Sequence, residues 1–214
     1  MLANIYLHEV LDRWFEEEVR GRLRGRAFIV RFADDAVLGF ATEEDARRVM
    51  EVLPKRFARF GLQLHPEKTR LVPFQRPSAR GPKPRCFDLL GFRHYWGQAR
   101  NGAWVIKRKT ASGRLSRAIQ RVTAWCRSHR HERLSEQYQM LCRKVKGHYA
   151  YYGITGNARA LAQYRREVER GWRKWLSRRS QRARLTWQRF GALLRTAFPL
   201  PPPRIVHSVR AAKP

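Results

Sequence analysis

The sequence predicts an α+β fold, with β-hairpins and packed helices in the first part of the chain and a helical second part. Three observations carry this. Two β-rich runs, Ala27–Phe32 and residues 36–40, flank a short break at Ala33-Asp34-Asp35. From residue 113 onward apolar side chains recur at helical spacing. The charge divides at the same place as the pattern. Residues 1–72 hold 13 basic and 12 acidic side chains, whereas residues 73–214 hold 33 and 5.

Taken in order, residues 2–20 read as a helix with Leu7, Val10, Leu11 and Trp14 on one face. A basic turn between Gly21 and Gly25 leads into the first hairpin. Thr42 followed by Asp45 resembles a capping box, opening a helix that ends at Gly61 and is kinked by Pro54. Residues 62–64 and 69–72 read as short strands around the His65-Pro66-Glu67-Lys68 turn. Residues 73–85 hold four prolines and read as a loop. Residues 87–96 and 103–107 are β-like, with Asn101-Gly102 as the turn between them. Helices are expected near 113–128, 134–151, 157–178 and 186–197. In the third of these, Leu161, Tyr164, Val168, Trp172 and Trp175 form one stripe. Pro199 to Pro203 should end the fold.

The formal charge of +29 goes with 43% apolar residues, so the chain is no disordered polycation. No apolar run is long enough for a membrane helix, and the first residues are acidic where a targeting peptide would be basic. A cytoplasmic chain associated with RNA is expected. Six of the seven Trp and six of the seven Tyr lie in the basic part. Cations bind phosphates and aromatic faces stack on unpaired bases, so the partner class is RNA or single-stranded DNA. Cys86, Cys126 and Cys142 have neither disulfide nor zinc spacing and read as buried free thiols. His129 and His131 flank Arg130 in a basic loop and read as surface residues rather than ligands.

Asp34 and Asp35 are the acid pair with a catalytic setting. Two carboxylates at a hairpin tip could hold Mg²⁺ together with substrate phosphates. By spacing alone the first reading is a tight turn satisfied by its own polar side chains. The context shifts that reading. Phe32-Ala33-Asp34-Asp35 between two β-rich runs resembles the Tyr-Ala-Asp-Asp motif of the reverse-transcriptase palm, with Phe for Tyr. Residues 2–8, Leu-Ala-Asn-Ile-Tyr-Leu-His, resemble the helix after that family's nucleotide-pocket motif, and residues 62–69 the next palm motif. Phe87-Asp88-Leu89-Leu90-Gly91-Phe92 is similar to the primer-grip hairpin. Residues 146–153, Lys-Gly-His-Tyr-Ala-Tyr-Tyr-Gly, resemble the thumb, or maturase-specific, region of bacterial group II intron-encoded proteins.

The resemblance implies a partial reverse-transcriptase palm over 1–72 and a linker with primer-grip-like hairpins over 73–110. An α-helical thumb or maturase domain over 111–200 and a basic tail over 201–214 would follow. It implies Asp34 and Asp35 as catalytic Mg²⁺ ligands and Lys68 as a candidate general acid; a solvated surface charge is the alternative for Lys68. Phe32 and Ala33 would line the primer or nucleotide side, and Leu90, Gly91 and Phe92 would hold the primer end, unless they are ordinary β core. Arg117, Arg121, Arg143, Lys144, Lys146, Arg165, Arg166, Arg173 and Lys174 would contact intron RNA or the template–primer through phosphates. Tyr149, Tyr151 and Tyr152 read as helix packing rather than base stacking.

The family's fingers and its first catalytic Asp motif fall upstream of the segment matched by residues 2–8. Met1 stands where the family commonly has Leu. A chain without them is expected not to polymerise alone, and could be complemented by a separately encoded N-terminal half. An RNA-binding maturase without polymerisation, or an inactive remnant, is the alternative. With most of its sheet missing, the first helix should expose Leu11 and Trp14.

Overall fold

The computed structural model describes residues 2–78, 85–180 and 184–208. The chain forms two compact units: Met1–Leu90 with Gln98–Trp104, and Gly91–Gly97 with Val105–Pro214.

The first unit opens with α1 (Leu2–Leu7), which continues as wide π turns over His8–Arg13 and Phe15–Val19 and a tight turn over Arg20–Arg22. Buried Val10, Leu11, Trp14 and Phe15 and half-buried Val19 recur at four- to five-residue intervals, which a loosened helix keeps on one side. Leu11 and Trp14 are thus buried, contrary to the sequence expectation. Leu53 and Phe57 and the inner face of a β-hairpin share their core.

That hairpin is β1 (Ala27–Phe32) and β2 (Asp35–Phe40), antiparallel, with Phe32 opposite Asp35 and Ala27 opposite Phe40. The two-residue connection is Ala33-Asp34, so Asp35 belongs to the strand rather than to the break. Side chains alternate across the pleat. Ala27, Ile29, Ala36, Leu38 and Phe40 face the core, while Phe28, Val30 and Phe32 are exposed on the other side. Opposite Phe28, Gly39 leaves room for the ring, which would collide with any Cβ there.

Next comes α2 (Glu43–Arg59), capped by Thr42, whose hydroxyl accepts from the Asp45 amide. The helix runs on through Pro54, and Ala46, Val49, Leu53 and Phe57 form its buried face. Asp45 is itself buried and accepts from the Gly25 and Arg24 amides and the Thr42 hydroxyl. The Gly25 amide above all holds its carboxyl below the usual range, against the desolvation that would raise it. The turn into β1 is thereby tied to the start of α2.

The strands expected at 62–64 and 69–72 are absent; this stretch is coil with a turn at residues 66–68. Leu62 and Leu64 rest on the first core. Alternating burial therefore exists here without a ladder, and alternation was all the sequence reported. Of the proline-rich segment, residues 79–84 lie outside the described residues, and those on either side are irregular.

The β-like run from residue 87 splits into β3 (Phe87–Leu89) and β4 (Phe92–Gln98), followed by β5 (Trp104–Thr110), in sheet order β3-β4-β5. The split lies at Leu90 and Gly91, both at positive φ (+49° and +78°).

The second unit is built on α3 (Ser112–Ser128), α4 (Leu134–Tyr152), α5 (Ala158–Leu176) and α6 (Trp187–Thr196), each within two residues of expectation at either end. Its core joins Val122, Leu141, Val145, Leu161, Val168, Trp172 and Phe190. In α5 the stripe ends on buried Leu176; Trp175 is half-exposed. Of the three thiols only Cys126 is fully buried, its pKa pushed up to about 12 by desolvation, and Cys86 is exposed, against expectation.

Two buried polar knots fix the helices. Trp172 Nε1 donates to Gln137 Oε1 at 2.9 Å, while Gln137 Nε2 donates to the His129 and Glu132 carbonyls. Asn157 accepts from the Thr110 amide and donates to the Thr110 hydroxyl and the Tyr152 carbonyl, at 2.8–2.9 Å.

The residues after α6 do not leave the fold, as the prolines had suggested. Leu200 is buried, and the Tyr138 and Tyr149 hydroxyls donate to the Pro199 and Pro201 carbonyls. Ile154 and His207 then form a parallel bridge.

Candidate active site and nucleic-acid interface

The hairpin tip carries the candidate site of the first unit. Phe32, Ala33, Asp34 and Asp35 are all exposed there, Phe32 with 65% of its surface free. Ala33 has φ +55°, in the left-handed region that an alanine adopts only at a cost. Pairing of Phe32 with Asp35 leaves two residues to reverse the chain, and one must take positive φ to match the strand twist.

Arg31 holds this tip. Its guanidinium donates from Nε and Nη2 to the Asp12 carboxylate at 2.7–3.0 Å, and from Nη1 to the Ala33 carbonyl at 2.9 Å. Nη2 also reaches the Asn4 carbonyl at 3.4 Å. One planar fork therefore joins α1, the turn after it and the strained peptide. The Arg31 hydrogen bond is the main cause holding the Asp12 carboxyl below its usual value. Neither Asp12 nor Arg31 was a candidate from sequence. A signal existed, because Arg31 falls on the core-facing phase of β1 with Ala27 and Ile29, and an arginine there needs an internal acid.

Asp34 and Asp35 engage no side-chain hydrogen bond or ion pair among the described residues. The donor set suits a hard divalent cation: two carboxylates open to water, leaving coordination positions for water and phosphate oxygens. It is a two-carboxylate set, since no group of three His, Cys, Asp or Glu side chains converges among the described residues. Lys68 sits in the exposed turn after His65, whose carbonyl accepts from the Lys68 amide, and makes no ion pair with either aspartate.

In the first unit, Leu90 ends the β3 segment in a left-handed conformation. In the second, Gly91 accepts from the Ala111 amide through its carbonyl, and a Cβ on it would lie 3.0 Å from the Tyr152 hydroxyl. The Phe92 ring stacks on Tyr151 and meets Tyr152 edge-on. Gly91 and Phe92 thus have packing duties of their own.

The basic residues sort into two kinds. Arg117, Arg121, Arg143, Lys146, Arg166 and Lys174 are exposed and pair with no carboxylate among the described residues. Arg165, by contrast, is paired with Glu169 at 2.9 Å. Arg173 donates to the Leu185 carbonyl and lies over Trp187, and Lys144 lies over Trp125. These three are engaged inside the unit. Sequence reasoning passed over Arg127 and Arg178, which with Lys174 surround the Trp175 ring at 5.4–5.5 Å.

Residues 1–94 match the family model described as reverse transcriptase (RNA-dependent DNA polymerase). The Asp34-Asp35 hairpin, α2 and the Leu90-Gly91 turn all lie inside the matched span, which supports a reverse-transcriptase-related function. No curated protein matches the chain. Among the described residues no helix is long and apolar enough to cross a membrane.

Proposed function

We propose that this chain carries the Asp-Asp hairpin and the RNA-binding thumb of a bacterial group II intron reverse transcriptase and maturase. The observation that supports it best is the tip itself: two open carboxylates on a strained, arginine-clamped two-residue turn, within the span that matches reverse transcriptases. Asp34 and Asp35 hold Mg²⁺, which when bound supplies positive charge to phosphate oxygens. Phe32, across from Asp35 in the ladder, gives the site an apolar wall. Ala33 keeps the tip narrow enough for a nucleic-acid backbone to approach. The exposed cations of the second unit hold intron RNA or template–primer by its phosphates.

The two-carboxylate donor set favours a second reading, an RNA-binding maturase that does not polymerise by itself. Asp34→Ala separates the two. If the pair holds metal, Mn²⁺ titration followed by electron paramagnetic resonance should show an ion bound by the wild-type chain and lost in Asp34→Ala, with RNA affinity kept. Equal Mn²⁺ binding by both proteins would defeat the metal reading. Primer extension on an RNA template should be undetectable with the chain alone; extension would show that two carboxylates suffice.

A further inference from the structure

The end of α4 carries a cluster of aromatic rings that reaches the surface. Tyr151, near the end of α4, exposes 53% of its surface, whereas its neighbour Tyr149 exposes 3%. The Tyr151 ring is nearly parallel to Phe92, with centroids 5.8 Å apart and 13° between planes. Tyr152 meets Tyr151 edge-on at 4.8 Å and Phe92 at 5.3 Å, so three rings brace one another. Behind them the stack continues inward through His148, 4.6 Å from Tyr152 and 3.7 Å from Tyr164. Such backing fixes the orientation of an exposed ring before any ligand arrives. Tyr149 and Tyr152 are packed into the unit, whereas Tyr151 leaves about half of its surface exposed.

Arg114 and Arg117, one helical turn apart on α3, are both exposed. Both lie close enough to the Tyr152 hydroxyl to work against the burial that raises its pKa. A braced aromatic face with two cations at its rim matches one chemistry, a flat π-system attached to phosphate. Bases inside a duplex are already stacked, so this surface selects an unpaired one.

We propose that Tyr151, backed by Phe92 and Tyr152 and flanked by Arg114 and Arg117, is a stacking site for an unpaired nucleobase of single-stranded RNA. It rests on the nucleic-acid reading above and adds to it a contact with a base beside the phosphate contact of Arg117. The test uses the full chain with a single-stranded RNA oligonucleotide carrying a fluorescent adenine analogue, and a blunt duplex of the same sequence. Wild type should quench the analogue. Tyr151→Ala should abolish the quench and weaken single-strand binding about fivefold to a hundredfold, leaving duplex affinity and the salt dependence unchanged. Tyr151→Phe and Tyr151→Trp should keep both quench and affinity, which also shows that the fold tolerates change here.

Equal loss on single strand and duplex, or no change in Tyr151→Ala while wild type binds both, overturns the stacking site alone. A wild-type chain that binds neither oligonucleotide overturns the nucleic-acid reading and this site with it.

Discussion

Arg31→Met should withdraw the guanidinium from the Asp12 carboxylate and the Ala33 carbonyl at once. The pair is largely shielded, with 13% of the Arg31 side chain and 21% of the Asp12 side chain exposed. The Asp12 carboxylate would then keep only His8, 3.2 Å away, and the loss of the guanidinium should cost about 1–3 kcal/mol, read as a lower urea midpoint. Asp12→Asn in the same chain should recover part of that loss, because the stranded charge is then gone. Full additivity of the two substitutions would show that they do not act through one contact. Asp34 and Asp35 could be read from the sequence because flanking β-rich runs announce a hairpin and two adjacent acids stand out. Arg31 and Asp12 could not be read as a pair, because nineteen positions separate them and only the fold brings them together. Leu90 was hidden for a related reason: a leucine at φ +49° carries no turn signal, so the run from residue 87 read as one strand.

Between elements, α4 and α5 meet at His148, which stacks on Tyr164 and is 8% exposed. Its Nε2 finds no partner among the described residues, and burial lowers its pKa from 6.5 to about 4. The unfolded chain therefore takes up this proton at higher pH than the folded one. Stability should be flat above about pH 6.5, fall by at most ~1.4 kcal/mol per unit down to about pH 4, and level off below that. His148→Phe should flatten thermal melting curves across that window; an unchanged slope would assign the acid sensitivity to other groups. Helices α3 to α6 were legible to within two residues because each buries a periodic stripe. Residues 62–72 were not, since a coil lying on a core buries alternate side chains just as a strand does.

For the whole molecule, the charge division has a measurable signature. Each phosphate neutralised on single-stranded RNA contributes about −0.7 to the slope of log affinity against log salt. If the exposed Arg117, Arg121, Arg143, Lys146, Arg166 and Lys174 all engage, the slope should be about −4. A flat salt dependence would contradict the phosphate clamp. Arg165→Ala should barely move the slope, because its partner is Glu169. Composition points to a polyanion as the partner; which cations are left to meet it depends on where five acids fall in the fold, and that is read from the ion pairs.

The segment around Leu200 also sets an order of events. Leu200 closes over a core containing Trp172 and Leu141, and His207 bridges to Ile154. A chain still being synthesised at residue 198 has made every helix of that unit but cannot yet close it. Until the residues through His207 are available, the helices lack both the Leu200 side chain that completes their core and the strand-like bridge to Ile154.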